Sequence, residues 1–254
     1  MEKRREEILK EVEKKGEVRV ADLSQHYKCS EVTIRNDIKA LHAKGLLKRV
    51  HGGAIKIEDV PYRKYTAESI YKNVEQKKAI AKCAYEYINS GDTIIIDDAS
   101  SSFYLALHIK EHPEKTVAIV TNSLLVGNEV AGLSHVELYM VGGHVGGHLA
   151  ATMGDDTIEN FNGFKVDKAF MGVRGINFEV GLTSIATPQM QVKRAILRVA
   201  QRVFVLVDSS KFGGGYVSVI CPIDQVYKIV TDNLISEENR RQAEELGIPM
   251  IVAE

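Results

Sequence analysis

The stretch TIRNDIKALHAKGLLKRVHGGA, residues 33–54, decides the fold of the first part of the chain. It begins as an amphipathic helix, with Ile34, Ile38 and Leu41 spaced so that they share one face. Gly45 closes this helix, after which LLKRV alternates like a strand, HGG forms a turn and AIKI returns. The stretch therefore predicts a helix that is followed directly by a two-stranded hairpin.

Two shorter helices are predicted before this stretch. In EEILKEV the residues Ile8, Leu9 and Val12 fall on one helical face, and Gly16 ends the helix. A short extended piece, VRV, leads to a second helix, ADLSQHY, and the hydroxyl of Ser30 is placed to cap the third. Three helices and a hairpin within 57 residues are the plan of a winged helix-turn-helix, whose third helix enters the major groove of DNA.

The charge of the chain is unevenly distributed. The 254 residues have a formal net charge of -1. Residues 1–57 carry 14 Lys and Arg against 9 Asp and Glu, a net of +5, whereas the remainder carries 19 against 25, a net of -6. A basic head on an acidic body indicates that the head meets a polyanion, although a merely solvated basic face gives the same count.

The composition is that of an ordinary globular protein, with 44% hydrophobic and 26% charged residues. No apolar run approaches the roughly 18 residues that a membrane span needs. The first residues, MEKRREEILKEVEKK, are charged throughout and do not resemble a secretory signal. Three cysteines lie far apart, so we expect no disulfide framework, no metal site, no cofactor and a reducing cytoplasm. They are Cys29, Cys83 and Cys221.

The side chains of the third helix and the hairpin suit DNA recognition. Arg35 can donate in a fork to guanine, Asn36 can pair with adenine, and Thr33 can contact a phosphate or a thymine methyl. Asp37 lies close to the apolar side, where we expect an internal ion pair because phosphates would repel it. The alternatives are that the basic residues are solvated charges and that the histidine is only a turn residue. The predicted DNA-binding residues are Ser30, Thr33, Arg35, Asn36, Lys39, Lys48, Arg49, His51 and Gly52.

The segment SEVTIRNDIKALHAKGLLKRVHGGA resembles the signature of the DeoR family of bacterial transcriptional regulators. That signature has a serine, then T-I-R-R-D, a spaced leucine, a glycine and R-x-H-G-G-A. The chain departs from it at Asn36, where the family usually has a second arginine or lysine. The resemblance implies a sequence-specific DNA-binding regulator, and the departure implies a shifted operator preference.

A change of pattern after residue 57 predicts the domain borders. Residues 58–73, EDVPYRKYTAESIYKN, contain Pro61 and mix tyrosines with charges. We therefore predict a DNA-binding domain at 1–57, a linker at 58–75 and a second domain at 76–254. In that domain helical and strand-like segments alternate, which is typical of a mostly parallel sheet wrapped by helices.

Polar loops follow several of the predicted strands. In such sheets ligands bind beyond the carboxyl ends of the strands. The serines of DDASSSF offer an anion cradle at a helix start, Lys211 can clamp a phosphate or carboxylate, and Asp97 can accept from sugar hydroxyls. Each piece has a plainer alternative: a serine cap, a glycine turn, or an Asp208–Lys211 pair. The glycines between His144 and its neighbour four residues on favour a loop over a metal site.

The second domain resembles the DeoR-family sensor domain in the segments GDTIIIDDASSS, VTNSLLVGNEVA, YMVGGHVGG and LVDSSKFG. This resemblance implies a fold similar to ribose-5-phosphate isomerase and a phosphorylated sugar as effector. The chain departs from the family at Ala99 and Ser100, where glycine then serine or threonine is common, and at Gln189, where glutamate is common. The resemblance implies effector contacts by Asp97, Ser100, Ser101, Asn122, Gly142, Gly143 and Lys211, and the helix-start argument adds Ser102.

These observations predict a repressor of a sugar-metabolism operon. Its partners are expected to be double-stranded operator DNA, a phosphorylated sugar and further copies of the chain in a dimer or tetramer, with no membrane. Two alternatives stay open. One is a sugar-phosphate isomerase or deaminase with a base among Asp97, Asp98 and His144. The other is a non-specific nucleic-acid packaging protein.

Overall fold

The computed structural model describes residues 2–43, 47–50, 52–55, 69–146, 150–184, 187–214 and 218–254. The chain divides into two compact units, Met1–Lys64 and Tyr65–Glu254. Most of the predicted linker, residues 58–68, lies outside the described residues. Among the described residues no helix combines the length and the apolar character that crossing a membrane requires.

The N-terminal unit is a winged helix-turn-helix, as predicted. Its helices are α1 (Glu2–Lys15), α2 (Val20–His26) and α3 (Glu31–Ala43), and its strands are β1 (Glu17–Arg19), β2 (Lys48–Val50) and β3 (Gly53–Ile55). The hairpin strands β2 and β3 pair antiparallel, and β1 adds to the other side of β3. The predicted extended piece before the second helix is therefore the third strand of this small sheet.

A single core holds the N-terminal unit together. The stripe Ile34, Ile38 and Leu41 of α3 is buried, as is most of the predicted face of α1. Ser30 caps α3, since its hydroxyl oxygen accepts from the amide of Thr33 at 3.2 Å. The strand β1 passes so close to the hairpin that a Cβ on Gly53 would meet the carbonyl oxygen of Val18 at 2.1 Å. This glycine is therefore required by close packing of backbone.

The C-terminal unit is built on a seven-stranded parallel sheet, which confirms the predicted α/β class. The strand order is β15-β14-β12-β9-β4-β5-β6, and every pairing in it is parallel. The strands are β4 (Thr93–Ile96), β5 (Val117–Thr121), β6 (Val136–Met140), β9 (Val166–Met171), β12 (Ala200–Leu206), β14 (Lys228–Asp232) and β15 (Met250–Ala253). The helices are α4 (Val74–Tyr85), α5 (Ser100–Glu111), α6 (Leu124–Val130), α7 (Asp155–Asn162), α8 (Thr187–Val199) and α9 (Glu237–Glu245).

Helices cover both faces of the parallel sheet. On the central strand β4, Ile94 and Ile96 join the core under α4, α5 and α6, whereas Ile95 between them joins the core under α7 and α8. Alternate side chains of a strand point to opposite faces, so a strand of consecutive isoleucines is the expected sequence for a sheet buried on both sides.

Two small antiparallel sheets supplement the parallel one. A hairpin of β7 (His144–Gly146) and β8 (Ala151–Met153) follows the strand β6. A second sheet consists of β10 (Gly175–Asn177), β11 (Gly181–Ser184) and β13 (Ser218–Cys221). The sequence interpretation gave a glycine turn before β7 and did not predict these strands, because strands of three or four residues are too short to show a period.

Candidate functional site

The recognition helix α3 presents its predicted DNA-reading face to solvent. Arg35, Asn36 and Lys39 are exposed, and Val32 on the same face is 62% exposed. The guanidinium of Arg35 donates to the carboxylate of Glu31 at 2.7 Å, one turn earlier on the helix. Both side chains are about half exposed, so this pair costs little to open when a base edge replaces the carboxylate.

Asp37, one of the two acids of α3, is turned inward, which confirms the predicted ion pair. Asp37 is 2% exposed and accepts from Arg4 at 2.7 Å and from Arg5 at 2.7 Å. Both arginines belong to α1, so the pair clamps α1 against α3. The Asp37 carboxylate, which would repel phosphates, is thereby kept off the exposed face of α3, where the Glu31 carboxylate is paired with Arg35.

The wing is described through its backbone. The register pairs Lys48 with Ile55 and Arg49 with Ala54. His51 lies outside the described residues, as do the side chains of Lys48 and Arg49. Gly52 is exposed at the turn with a φ of +80, a conformation that favours glycine.

The loops predicted to bind an effector meet at one edge of the parallel sheet. β4 lies between β5 and β9, with Ile95 opposite Val120 on one side and Ala169 on the other. The residues that follow these strands are consequently neighbours at the carboxyl edge, where parallel α/β sheets bind ligands. They include Asp97 and Asp98 after β4, Asn122 after β5, Gly142 and Gly143 after β6, Gly172 after β9 and Asp208 after β12.

Asp97 is fully buried at this edge, and its carboxylate is already occupied by the protein. It accepts from the amide of Ala99 at 3.0 Å, the hydroxyl of Ser102 at 2.5 Å and the amide of Gly172 at 3.1 Å. It also forms an ion pair with Lys193 of α8. The geometry therefore differs from the predicted use of Asp97 as an acceptor for sugar hydroxyls: the carboxylate fixes the end of β4 to β9, α5 and α8.

Lys193 is a residue of this site that the sequence interpretation missed. Its side chain is 6% exposed, and its ammonium lies 3.8 Å from Asp98 in addition to the bond with Asp97. Burial by itself would lower the pKa of Lys193, but the charges of Asp97 and Asp98 outweigh it and raise that pKa. The available signal was a lysine on the buried stripe of α8, beside Val192 and Ile196.

Asp98 lies beside this ion pair in a different environment. Its carboxylate accepts from the side-chain amide of Gln189 at 3.2 Å. Burial raises the pKa of the Asp98 carboxyl, and the charge of Lys193 opposes that shift. The two adjacent acids therefore have different surroundings, since Asp97 is saturated with donors and Asp98 is not.

The serines of DDASSSF lie within the first turn of α5, after Ala99 as N-cap. The alternative that a serine is only a cap therefore does not apply. Ser101 and Ser102 are buried, Ser100 is partly exposed, and the hydroxyl of Ser102 is used by Asp97. The first amides of a helix have no intrahelical acceptor, so the backbone of Ser100 and Ser101 offers the anion cradle.

Asn122 contributes an unpartnered acceptor at the same edge. The residue is 1% exposed, and its amide nitrogen donates to the carbonyl of Thr152 at 3.0 Å. Its amide oxygen is buried and has no hydrogen-bond partner among the described residues. Orphaned buried acceptors are rare in folded proteins and call for a partner such as a ligand or an ordered water.

The glycines after β6 form a tight turn against α7. Gly143 has a φ of +146, and a Cβ on it would meet the hydroxyl oxygen of Thr157 at 2.0 Å. The same hydroxyl donates to the carbonyl of Gly142 at 3.1 Å. Both glycines are exposed, so the turn leaves accessible backbone at the edge of the sheet.

Lys211 lies on a short 3-10 turn, Ser209–Lys211, that Asp208 caps. The ammonium of Lys211 is 4.0 Å from Asp208, and its side chain is 32% exposed, so it remains accessible to an anion. Asp208 lies closer to other donors: it accepts from the hydroxyl of Ser210 and from the side-chain amide of Asn73, the latter at 3.0 Å. The Asp208–Lys211 pair that was left as an alternative therefore exists, but it is the longest of the contacts that Asp208 makes here.

A second buried lysine stands near this turn. Lys77 is 2% exposed and donates to the carbonyl oxygens of Ser69 and Lys72. Burial lowers the pKa of Lys77 to about 8, with the charge of Asp208 opposing the shift and that of Lys211 adding to it. This ammonium therefore holds the segment that enters the C-terminal unit.

The two histidines weighed as metal ligands are only partly within the described residues. His144 is exposed on β7, and His148 lies outside the described residues. Within the described part of the chain no three histidine, cysteine or acidic side chains are grouped so that they could hold a metal ion.

Comparison with known families matches both units. The model of the DeoR-like helix-turn-helix domain matches residues 4–60, and that of the DeoR C terminal sensor domain matches residues 72–233. Curated relatives match over nearly their whole length. The chain is 30% identical over 257 residues to a putative aga operon transcriptional repressor of Escherichia coli O157:H7, covering 98% of this chain and 93% of that protein.

Two further relatives are regulators by name. The HTH-type transcriptional regulator GolR of Listeria innocua is 28% identical, with 99% of this chain and 98% of that protein covered. A lactose phosphotransferase system repressor of Staphylococcus epidermidis is 28% identical, with 91% of each covered.

Among solved structures the likeness is distant. A D-ribose-5-phosphate isomerase in complex with phospho-erythronic acid has a TM-score of 0.40 at 19% identity, covering 55% of this chain and 54% of that one. The translation initiation factor eIF-2B of Pyrococcus horikoshii has a TM-score of 0.45 at 18% identity, covering 66% of each chain. Likeness of this size carries no argument about the site.

Proposed function

The chain belongs to the DeoR family of transcriptional regulators, and from that premise we propose that it represses a sugar-metabolism operon and that a phosphorylated sugar changes its affinity for the operator. The observation that carries the effector half of this proposal is the carboxyl edge of the sheet. There the free amides of Ser100 and Ser101 and the unpartnered oxygen of Asn122 occur beside strands that are direct neighbours.

In the N-terminal unit we assign base reading to α3. Arg35 exchanges Glu31 for a guanine edge, Asn36 contacts an adenine, and Thr33 and Lys39 contact the backbone of the duplex. Ser30 keeps its capping role and contributes through the position of the helix start. The wing residues Lys48, Arg49, His51 and Gly52 are assigned to phosphates or the minor groove.

In the C-terminal unit the phosphate of the effector is assigned to the first turn of α5. The amides of Ser100 and Ser101 bind it together with the positive end of the helix dipole, and Lys211 closes on it from the strand β12 side. The oxygen of Asn122 accepts from a ligand hydroxyl. Ser102 acts through Asp97, which holds the loop in place, and the backbone of Gly142 and Gly143 lines the opposite wall.

A continuous set of contacts links the proposed phosphate clamp to the predicted linker. Asp208 caps the turn that carries Lys211 and also accepts from Asn73, which has a φ of 52 just before α4. Lys77 holds the carbonyls of Ser69 and Lys72 immediately upstream. A ligand that draws Lys211 away from Asp208 changes the charge that faces Asn73. The preferred conformation of the segment that leads toward the DNA-binding unit changes as a result. Effectors typically change affinity by a coupling free energy of about 1–3 kcal/mol.

We propose a regulator and not an enzyme. Isomerisation needs a base that is free to take a proton beside a carbonyl, and of the three candidates Asp97, Asp98 and His144 the first is engaged by four groups of the protein. The curated relatives are named as regulators. The proposed assembly is a homo-oligomer in the cytoplasm, in which two heads meet half-sites about one helical turn apart.

A ligand screen on the full chain tests the proposal. Phosphorylated trioses, pentoses and hexoses are added to the purified protein, and a true effector raises the melting temperature because it binds only the folded state. That ligand must then change the affinity for a duplex selected from a random pool. Selective DNA binding that no phosphorylated sugar alters would overturn the effector half of the proposal.

A further inference from the structure

Two neighbouring acids at the sheet edge are used in different ways. Asp97 accepts from two backbone amides, the Ser102 hydroxyl and Lys193. Asp98 accepts from the side chain of Gln189 at 3.2 Å, and its other oxygen is 3.8 Å from the Lys193 ammonium, which is too far for a hydrogen bond. Lys193 therefore forms its hydrogen bond with Asp97. Its ammonium neutralises the Asp98 carboxylate only in part, from 3.8 Å away.

This geometry leaves acceptor capacity at Asp98. An ionised carboxylate offers about four lone-pair positions. Gln189 uses one of them with its amide nitrogen, and the amide oxygen of Gln189 takes no part in that bond. A carboxylate in contact with a side-chain amide brings several acceptor oxygens to one place, which suits hydroxyl or amino groups and disfavours phosphate.

The distance between Asp98 and the proposed phosphate cradle sets the reach that a ligand needs. Asp98 precedes Ser100, where α5 begins, by two residues, which corresponds to at most roughly 7 Å of chain. A ligand whose phosphate is bound by the first amides of α5 therefore needs only a short reach to bring its remaining groups to Asp98. A monosaccharide phosphate is long enough.

We propose that Asp98 and Gln189 form a donor-reading pair that accepts hydrogen bonds from the hydroxyl or amino groups of the effector at the end away from its phosphate. This inference rests on the proposed function, which supplies the phosphate end. It moves the sugar-reading role from Asp97, which organises the loop, to Asp98, and it makes Gln189 a determinant of ligand choice. A glutamate at 189 would put a second carboxylate beside Asp98 and favour a cationic donor.

Calorimetry on the full chain tests this with two variants and two matched controls. Asp98→Asn replaces one acceptor by a donor at constant size, and Gln189→Glu adds a negative charge. Asp224→Asn and Gln225→Glu make the same changes at exposed positions of another turn. The probes are inorganic phosphate, ribose 5-phosphate, fructose 6-phosphate, glucose 6-phosphate and glucosamine 6-phosphate, the last two differing by one hydroxyl exchanged for an ammonium.

The expected result is a selective loss. Asp98→Asn weakens the binding of the sugar phosphates at least about tenfold and leaves inorganic phosphate unchanged. Gln189→Glu shifts the ratio of glucosamine 6-phosphate to glucose 6-phosphate affinity toward the amino sugar by about tenfold, and both controls behave as wild type. Should Asp98→Asn fail to fold, the ratio measured with Gln189→Glu decides.

The effector class and the donor-reading pair are overturned by different results. If the wild-type protein binds none of the sugar phosphates, the proposed effector class and this inference fall together. If the wild type binds a sugar phosphate and both variants bind the probes with unchanged affinities and ratios, only the donor-reading pair is overturned. Equal weakening of inorganic phosphate and sugar phosphates by Asp98→Asn also overturns it, because that outcome places Asp98 in the support of the phosphate cradle.

Discussion

Both units of the molecule contain a buried carboxylate paired with cations, and the two pairs are built differently. In the N-terminal unit Asp37 is 2% exposed, but its partners Arg4 and Arg5 keep about a quarter of their side chains in water. In the C-terminal unit both Asp97 and its partner Lys193 are inside. The first pair clamps two helices at the margin of a small core, whereas the second pair is part of the interior. Removal of one partner should therefore have different consequences in the two units.

The largest effect is expected for Lys193→Met. The substitution keeps the volume of the side chain but leaves the Asp97 charge buried without its cation, which typically costs about 3–5 kcal/mol. Denaturant unfolding of the C-terminal unit measures the loss, and Lys110→Met, which removes an exposed lysine paired with Glu129, is the control. Adding Asp97→Asn to Lys193→Met should restore part of the stability, because the two changes are coupled. Additive losses would show that the pair does not act as a unit.

A smaller effect is expected for Asp37→Asn. The variant loses charge-assisted hydrogen bonds worth about 1.5–3 kcal/mol, but the arginines left behind reach water and are not stranded. Hydrogen exchange of the α3 amides reports the opening of the N-terminal unit separately from the sheet. Asp22→Asn, an exposed acid of α2, is the matched control. A loss as large as that of Lys193→Met would contradict the contrast between marginal and interior pairs.

Arg35→Ala should separate stability from recognition. The side chain is exposed and its bond with Glu31 lies on the surface, so the free energy of unfolding should change by less than about 0.5 kcal/mol. Loss of a bidentate guanine contact should cost about 1–3 kcal/mol of discrimination in operator binding. Gel shifts with selected and random duplexes measure the ratio, with Arg241→Ala on α9 as control. Undiminished selectivity would remove Arg35 from base reading.

The sequence predicted the features that leave a local pattern, namely periodic apolar stripes and the residues that begin or end a helix. The stripe of Ile34, Ile38 and Leu41 predicted the recognition helix, and Ser30 its cap. The inward acid Asp37 followed from its position near that stripe together with the repulsion that phosphates would exert. In the second unit the alternation of helical and strand-like segments predicted a mostly parallel sheet wrapped by helices, and the isoleucines of β4 contact the cores on both faces.

What the sequence could not predict depends on contacts between distant segments. Lys193 is 96 residues from Asp97, and Asn73 is 135 residues from Asp208. Neither pairing leaves a local pattern, because a lysine on a helix and an asparagine in a linker are ordinary residues. The different surroundings of Asp97 and Asp98 were hidden for the same reason, since they depend on which side chains of α8 reach each acid.

The two buried lysines of the C-terminal unit sharpen the comparison of interior charges, through a pH dependence and not through the loss of a partner. Lys193 is held by carboxylates and has a raised pKa, whereas Lys77 donates to carbonyl oxygens and has a pKa lowered to about 8 from 10.5. Between pH 8 and pH 10.5 the unfolded chain keeps the Lys77 proton, whereas the folded chain releases it. Stability from this group therefore rises with pH from about 8 to 10.5, by at most about 1.4 kcal/mol per pH unit.

The difference between wild type and Lys77→Met isolates this contribution from the tyrosines and cysteines that titrate in the same range. Unfolding free energies measured at pH 7, 8, 9 and 10 should show wild type gaining on Lys77→Met above pH 8, while Lys78→Met, an exposed neighbour, shows no such trend against wild type. If the difference in unfolding free energy between wild type and Lys77→Met did not change with pH, the carbonyl oxygens of Ser69 and Lys72 would hold the Lys77 ammonium as firmly as the carboxylates hold that of Lys193. Carbonyl dipoles would then be sufficient to offset the burial of a full charge in this unit.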